Sequence, residues 1–420
     1  MLPERKKRSF AQARLSQVNP QAEPRGRLAQ ELDRTQPEVQ HLLRHGWAVV
    51  DVLTPEQVEQ RKRQIWNDLS SLGTGIEFMD ESTMTKQSWP GAPRGLLQTF
   101  GAGLWPGVCA TANDAEDPML RLYGAKNTKK PLFRAWDALA IAPPSFSRNF
   151  SKRCSEKTVP GISYWLHTDD NPTHSDLLHW IQGGIALEDV DDSVVSTQII
   201  GAPEGYTAQG FVDWFYSVHP DQAPGAKTLG KNPPQWKKLG WCDHTAEQKA
   251  WLAKHGVPVK PRLKAGQMIL WCGRMPHANI CFPAAPDVEV PWRMTVLTNY
   301  YPVEVALPGE TQKRREMLET GCTSGHQVVC KGALFEKNGS LCYQKFGKAP
   351  NMPGGPPKDG FDFKTTPLPV LKGFTRYKRP RAEWSADEQF PDPDKDKELY
   401  EIHSKTARLC GGYDVLASAQ

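Results

Sequence analysis

The chain has 420 residues, a formal charge of +5 and 39% hydrophobic residues. That is ordinary for a globular protein of one large domain or two small ones, and it excludes a disordered or collagen-like chain. No apolar run reaches the roughly 18 residues of a membrane-crossing helix, and MLPERKKRSF lacks the apolar centre of a secretory signal, so an intracellular protein, cytoplasmic or nuclear, is expected. Nine cysteines form no CxxC pair, which fits reduced thiols and excludes a disulfide framework or a structural zinc site.

Residues 1–36 read as a mobile basic tail: polar, without periodicity, and carrying seven Lys/Arg against two Glu within residues 1–30. Order is expected to begin near Pro37. The string PEVQHLLRHG predicts a short helix stopped by Gly46, and WAVVDVL (47–53) a strand. Thr54 then caps a helix, with Pro55 at its first position and Gln57 completing a capping box. Val58, Ile65, Trp66, Leu69 and Leu72 share one face of it, and Gly73 ends it.

A Trp- and Gly-rich stretch (90–142) closes in the strand-like DALAIAP. Five further strands are predicted: GISYWLHTD (161–169), WIQGGIALEDV (180–190), SVVSTQIIG (193–201), PRLKAGQMILW (261–271) and RMTVLTNYYP (293–302). Short strands with polar turns and no βαβ rhythm predict an α+β domain over 37–305 with a sandwich or barrel core. Residues 203–260, with a helix expected from Thr245 to Lys254, read as an insertion over one end of that core. From 306 to 420 the chain turns Pro- and Gly-rich. It is expected to wrap the core as a C-terminal extension with one helix, ETQKRREMLET.

The chemistry-bearing signal is His-x-Asp in a strand. Residues i and i+2 share a face, so His167 and Asp169 would present an imidazole and a carboxylate side by side. Chance predicts about 1.2 His-x-acid matches in a chain of this composition, so the motif needs context. Three occur: His167/Asp169, His174/Asp176 and His219/Asp221. The second lies in a turn-forming string and the third in a proline loop. Only His167 ends a strand-like run, with Ser163 and Trp165 expected on the same face. His277, just beyond a tight turn at Cys272-Gly273, would bring a second imidazole. The three would make the two-His, one-carboxylate facial triad, which leaves three positions on Fe(II) for a bidentate cosubstrate and O2. Arg293 opens the next strand, with Thr295 on its face. A buried Arg there needs an anion, and a carboxylate is the natural one.

With those residues in place, HTD at 167–169, His277 behind AGQMILWCGRMP, Arg293 in WRMTVLTNYYP and the opening HGWAVVDVLTPEQVEQRKRQI (45–65) resemble the phytanoyl-CoA dioxygenase branch of the Fe(II)/2-oxoglutarate-dependent oxygenases. The resemblance covers about 37–305. It implies a double-stranded β-helix, or jelly roll, with flanking helices. It implies that His167, Asp169 and His277 ligate Fe(II), that Arg293 holds the distal carboxylate of 2-oxoglutarate, and that Thr295 assists. Ascorbate is the alternative cosubstrate. The chain departs from that branch where SVVSTQIIGAPEGYT replaces the usual Gly-rich stretch and Pro-Gly-Ser-His turn, and the gap from His277 to Arg293 is somewhat long. The implied activity is hydroxylation of a small or lipid-like organic substrate, with succinate and CO2 as co-products. Two rival readings stand beside it. One is a nucleic-acid base (5-methylcytosine-type) modifying dioxygenase, suggested by the basic tail and by KGFTRYKRPR (372–381) with Phe374 and Tyr377 interleaved. The other is an inactive jelly-roll binding module.

Overall fold

The computed structural model describes residues 18–84, 95–97, 101–124, 131–157, 159–169, 176–219, 241–319, 324, 369–378, 383, 391–392 and 395–413. Its first elements follow the local chemistry closely. Helix α1 (Pro37–His45) ends where Gly46, at φ 87°, sends its N–H back to the Leu42 carbonyl. A Cβ there would also lie 2.5 Å from the Met275 side chain, so both the conformation and the close approach call for glycine. Strand β1 (Trp47–Asp51) follows, then α2 (Pro55–Ser70). The capping box is present in both directions: the Thr54 hydroxyl accepts from the Gln57 N–H at 3.3 Å, and the Gln57 side chain accepts from the Thr54 N–H at 2.8 Å.

Next come β2 (Leu96–Leu97), α3 (Pro106–Asp114), α4 (Glu116–Leu122), β3 (Leu132–Arg134), β4 (Ala138–Ala142) and α5 (Pro144–Lys157). The centre of the chain supplies β5 (His167–Asp169), β6 (Ile181–Ala186), β7 (Ser196–Gly201), α6 (Ala208–Val218), β8 (Trp241–Asp243), α7 (Ala246–His255) and β9 (Val257–Val259). The series closes with β10 (Gln267–Cys272), β11 (His277–Ile280), β12 (Arg293–Thr298), β13 (Tyr300–Pro302), α8 (Glu310–Glu319) and α9 (Lys397–Gly411).

The strands form two larger antiparallel sheets and one pair. One sheet has six strands in the order β1-β10-β6-β12-β4-β2, the other five in the order β8-β5-β11-β7-β9, and β13 pairs with β3. Nearly every strand neighbour is distant in sequence. The sheets face each other across the site described below, where side chains of one hydrogen bond to side chains of the other. The far face of the six-stranded sheet is apolar (Leu97, Leu139, Ile141, Ile185, Met268, Leu270, Val296), and α3 packs against β12.

Several expectations are corrected. The strand expected over 161–169 is only β5; Ser163 holds the preceding residues in a turn, its hydroxyl accepting from the Trp165 N–H and its carbonyl from the Leu166 N–H. The strand expected over 293–302 breaks at Asn299, whose carbonyl accepts from the Ala135 N–H. Packing begins before Pro37: Leu28 is buried and its N–H donates to the Leu178 carbonyl. The C-terminal region holds a second helix, α9, seated on α3. There Asn113 donates to the Ile402 carbonyl and Arg408 makes a bidentate pair with Glu116 at 2.7 and 2.8 Å. Phe374 and Tyr377 are buried, stacked or tilted against His403, and so offer no surface on which bases could stack. Residues 1–17, most of 320–368, Trp236 and the end of the 372–381 cluster lie outside the described residues.

Candidate metal centre

The site is built by strand register. β11 lies between β5 and β7, and His277 is the direct partner of His167. Antiparallel partners share a face, and the two imidazole centroids are 4.5 Å apart. Asp169, two residues on from His167, falls on the same face. One donor atom each from His167, Asp169 and His277 lies within 4.8 Å of the others, and all three residues are buried.

Protonation follows from what the outer nitrogens touch. His167 Nδ1 sits 2.9 Å from the Trp165 carbonyl, and His277 Nδ1 sits 2.8 Å from the Met275 carbonyl. A carbonyl only accepts, so each Nδ1 carries a hydrogen and each ring turns its Nε2 inward. Both Nε2 atoms face the Asp169 carboxylate: His277 Nε2 is 3.2 Å from Oδ2 and His167 Nε2 is 3.5 Å from Oδ1. Two imidazole nitrogens and a carboxylate thus converge on one point. Such a set is satisfied by a cation, and the outer-nitrogen bonds are those that orient metal-bound histidines. The residues present therefore fit a divalent transition metal.

Aromatic rings enclose the imidazoles. Trp165 stacks on His167 at 4.4 Å and 26°, and Trp271 lies 5.5 Å from His277. Behind β5, Thr168 Oγ1 meets His244 Nε2 at 2.9 Å, and burial pulls the His244 pKa down to about 3, keeping that ring neutral. The six-stranded sheet contributes Gln182, whose Nε2 donates to Asp169 Oδ2 at 2.9 Å while its buried Oε1 has no partner among the described residues.

Arg293 and Thr295 lie on the same sheet face as Ala142 and Ala140, their direct partners, and Ala186 is the other partner of Thr295. Gly184 continues that row; a Cβ on it would sit 3.0 Å from Thr295 and 3.2 Å from Leu297. Small residues thus line the same face as the two polar ones. Arg293 is 2% exposed, yet among the described residues Nη2 reaches only Asn279 Oδ1 at 3.3 Å, and Nε, Nη1 and the Thr295 hydroxyl have no partner. Burial draws the Arg293 pKa down to about 10, so it stays charged at neutral pH. A buried, charged guanidinium with free donors and no carboxylate is a built site for an anion.

All five expected residues thus occupy the facing surfaces of the two sheets. The rival His219 sits instead among Phe215 and Trp251, and Asp176 lies beside Arg25. Gln182 and Asn279 escaped the sequence reading. The one signal for them was a polar residue in an otherwise apolar run (WIQGGIAL) and a polar residue two places beyond a metal-site histidine.

No known sequence family and no curated protein matches the chain. Similar solved structures include a hypothetical protein from Escherichia coli (13% identity, 81% of this chain and 89% of that one, TM-score 0.43). A putative oxidoreductase from Salmonella typhimurium LT2 matches at 12% identity over 78% and 88%, TM-score 0.41. EctD from S. alaskensis with bound Fe matches at 13% identity over 69% and 87%, TM-score 0.39. Likeness at this level leaves the assignment to the chain's own residues.

Proposed function

We propose that the chain is an Fe(II)/2-oxoglutarate-dependent oxygenase on a jelly-roll core, hydroxylating a small or lipid-like organic molecule. The observation that carries this reading is the pairing of a converging Nε2, Nε2 and carboxylate set with a buried, unneutralised arginine between the same two sheets. With Fe(II) and 2-oxoglutarate bound, the site supplies oxidative chemistry: O2 and the cosubstrate yield succinate and CO2, and one oxygen atom enters a C–H bond.

The chain's own residues do the rest. His167, His277 and Asp169 hold the metal, with both rings fixed by main-chain carbonyls. Arg293 pairs with the distal carboxylate of the cosubstrate and Thr295 offers it a hydroxyl. Trp165 and Trp271 keep bulk water from the imidazoles. Ascorbate, an enediol lactone, carries no carboxylate for Arg293, which favours 2-oxoglutarate. The inward packing of Phe374 and Tyr377 removes one motive for the nucleic-acid reading, and the intact donor set speaks against an inactive module. The test is succinate release by the iron-loaded protein, alone and with candidate substrates. Uncoupled turnover is expected in the native chain and none in Asp169→Ala; equal release by both would overturn the reading.

A further inference from the structure

The two charged groups of the site are held crosswise. Asp169 belongs to the five-stranded sheet and takes its hydrogen bond from Gln182 of the six-stranded sheet, at 2.9 Å. Arg293 belongs to the six-stranded sheet and donates to Asn279 of the five-stranded sheet, at 3.3 Å. Both holding groups are carboxamides and both are buried, at 4% and 7% exposure. A carboxamide can offer an N–H to a carboxylate and a carbonyl to a guanidinium while adding no charge.

The alternatives would each defeat the site. A carboxylate at 279 would pair with Arg293 and occupy the donors an incoming carboxylate needs. A cation at 182 would cancel Asp169 and repel a metal. We propose that Gln182 and Asn279 are positioning residues, each fixing the charge of the opposite sheet without neutralising it. The inference rests on the oxygenase reading for the identity of the anion, and on geometry alone for the holding of the charges.

Asn279→Asp alters charge with almost no change of shape, so it is the discriminating variant. Native protein, Asn279→Asp, Asn279→Ala and Gln182→Leu would be titrated with Co(II) by absorbance. The Co(II)-loaded forms would then be titrated with 2-oxoglutarate by calorimetry, and metal-free forms melted. Asn279→Asp is expected to bind Co(II) within about threefold of native and 2-oxoglutarate at least about tenfold more weakly, since a fixed carboxylate competes for the same guanidinium. Its metal-free form should melt about 2 °C or more above Asn279→Ala, because the buried Arg293 gains a counter-ion. Gln182→Leu should lose about tenfold in Co(II) affinity, the usual cost of removing a group that orients a metal ligand.

The proposal is overturned if Asn279→Asp binds 2-oxoglutarate as native does and melts with Asn279→Ala, or if Gln182→Leu keeps native Co(II) affinity. A native chain that binds Co(II) but no 2-oxoglutarate would sink the cosubstrate reading. The melting difference would still stand or fall by itself as the measure of the held charge.

Discussion

His167 and His277 are 110 positions apart in sequence and directly opposite in register, on neighbouring strands of one sheet. Their inner nitrogens meet the carboxylate of Asp169, which the period-two strand places on the same face. Removing that carboxylate leaves two imidazoles and no charge to offset a dication. In Asp169→Ala, iron bound after anaerobic reconstitution should fall from about one per chain to a small fraction of that. Far-ultraviolet circular dichroism should be unchanged, since the residue contributes no apolar packing. Native iron content in the variant would refute the ligand role.

Arg293 carries the only charge among the expected cosubstrate contacts. Arg293→Leu should raise the KM for 2-oxoglutarate by about a hundredfold, the scale of a lost buried charge pair. Iron content should hold. Arg293→Lys should recover part of the loss, because a lysine restores charge but not the two-pronged geometry. Steady-state kinetics with varied 2-oxoglutarate separates the three.

A row of small side chains shares the sheet face of Arg293 and Thr295. A valine at Gly184 would press on Thr295 and Leu297, which a single Cβ already approaches at 3.0 and 3.2 Å. Gly184→Val should weaken 2-oxoglutarate binding about tenfold or more while leaving the metal in place, and should lower stability by ~1–3 kcal/mol through overpacking. Calorimetry and thermal melting check the two parts separately.

The C-terminal helix carries a pH dependence. His403 is buried between Phe374 and Tyr377, with Nε2 donating to the Lys372 carbonyl and Nδ1 accepting from the Tyr377 hydroxyl. Burial lowers its pKa to about 3. The unfolded chain binds this proton near pH 6.5 and the folded chain only near pH 3. The contribution of this ring to stability is therefore level above pH 6.5 and falls as pH drops below it, by ~2 kcal/mol at pH 5. His403→Gln should flatten that part of the slope. An equal loss of melting temperature between pH 7 and 5 in native protein and His403→Gln would show the ring is not held neutral.

What the sequence made legible was local chemistry. Thr54 and Gln57 announce a helix start because the cap needs only four consecutive residues, and Thr245 with Gln248 repeats the device. His167 and Asp169 were legible because a strand repeats every two residues. Ser163 and Trp165 misled for the same reason: the alternation continues upstream, but a serine hydroxyl turns the backbone away from the strand. Helix α3 escaped because it is buried on almost every side and so has no polar stripe to mark its period. In α9 the buried stripe is carried largely by Thr406, Ala407 and Cys410 rather than by leucines. Gln182 and Asn279 were invisible because their partners lie on the other sheet, and a neutral amide gives no charge signal to search for.

Helix α9 has its own bearing on biosynthesis. It closes over α3, some 300 residues upstream, while Arg314 of α8 reaches the Cys410 carbonyl at its end. A growing polypeptide would expose the underside of α3 until this segment, some 300 residues later, emerged, so this part of the molecule closes only after α9 has been made. Fragments cut ahead of α9 should partition with chaperones or aggregates.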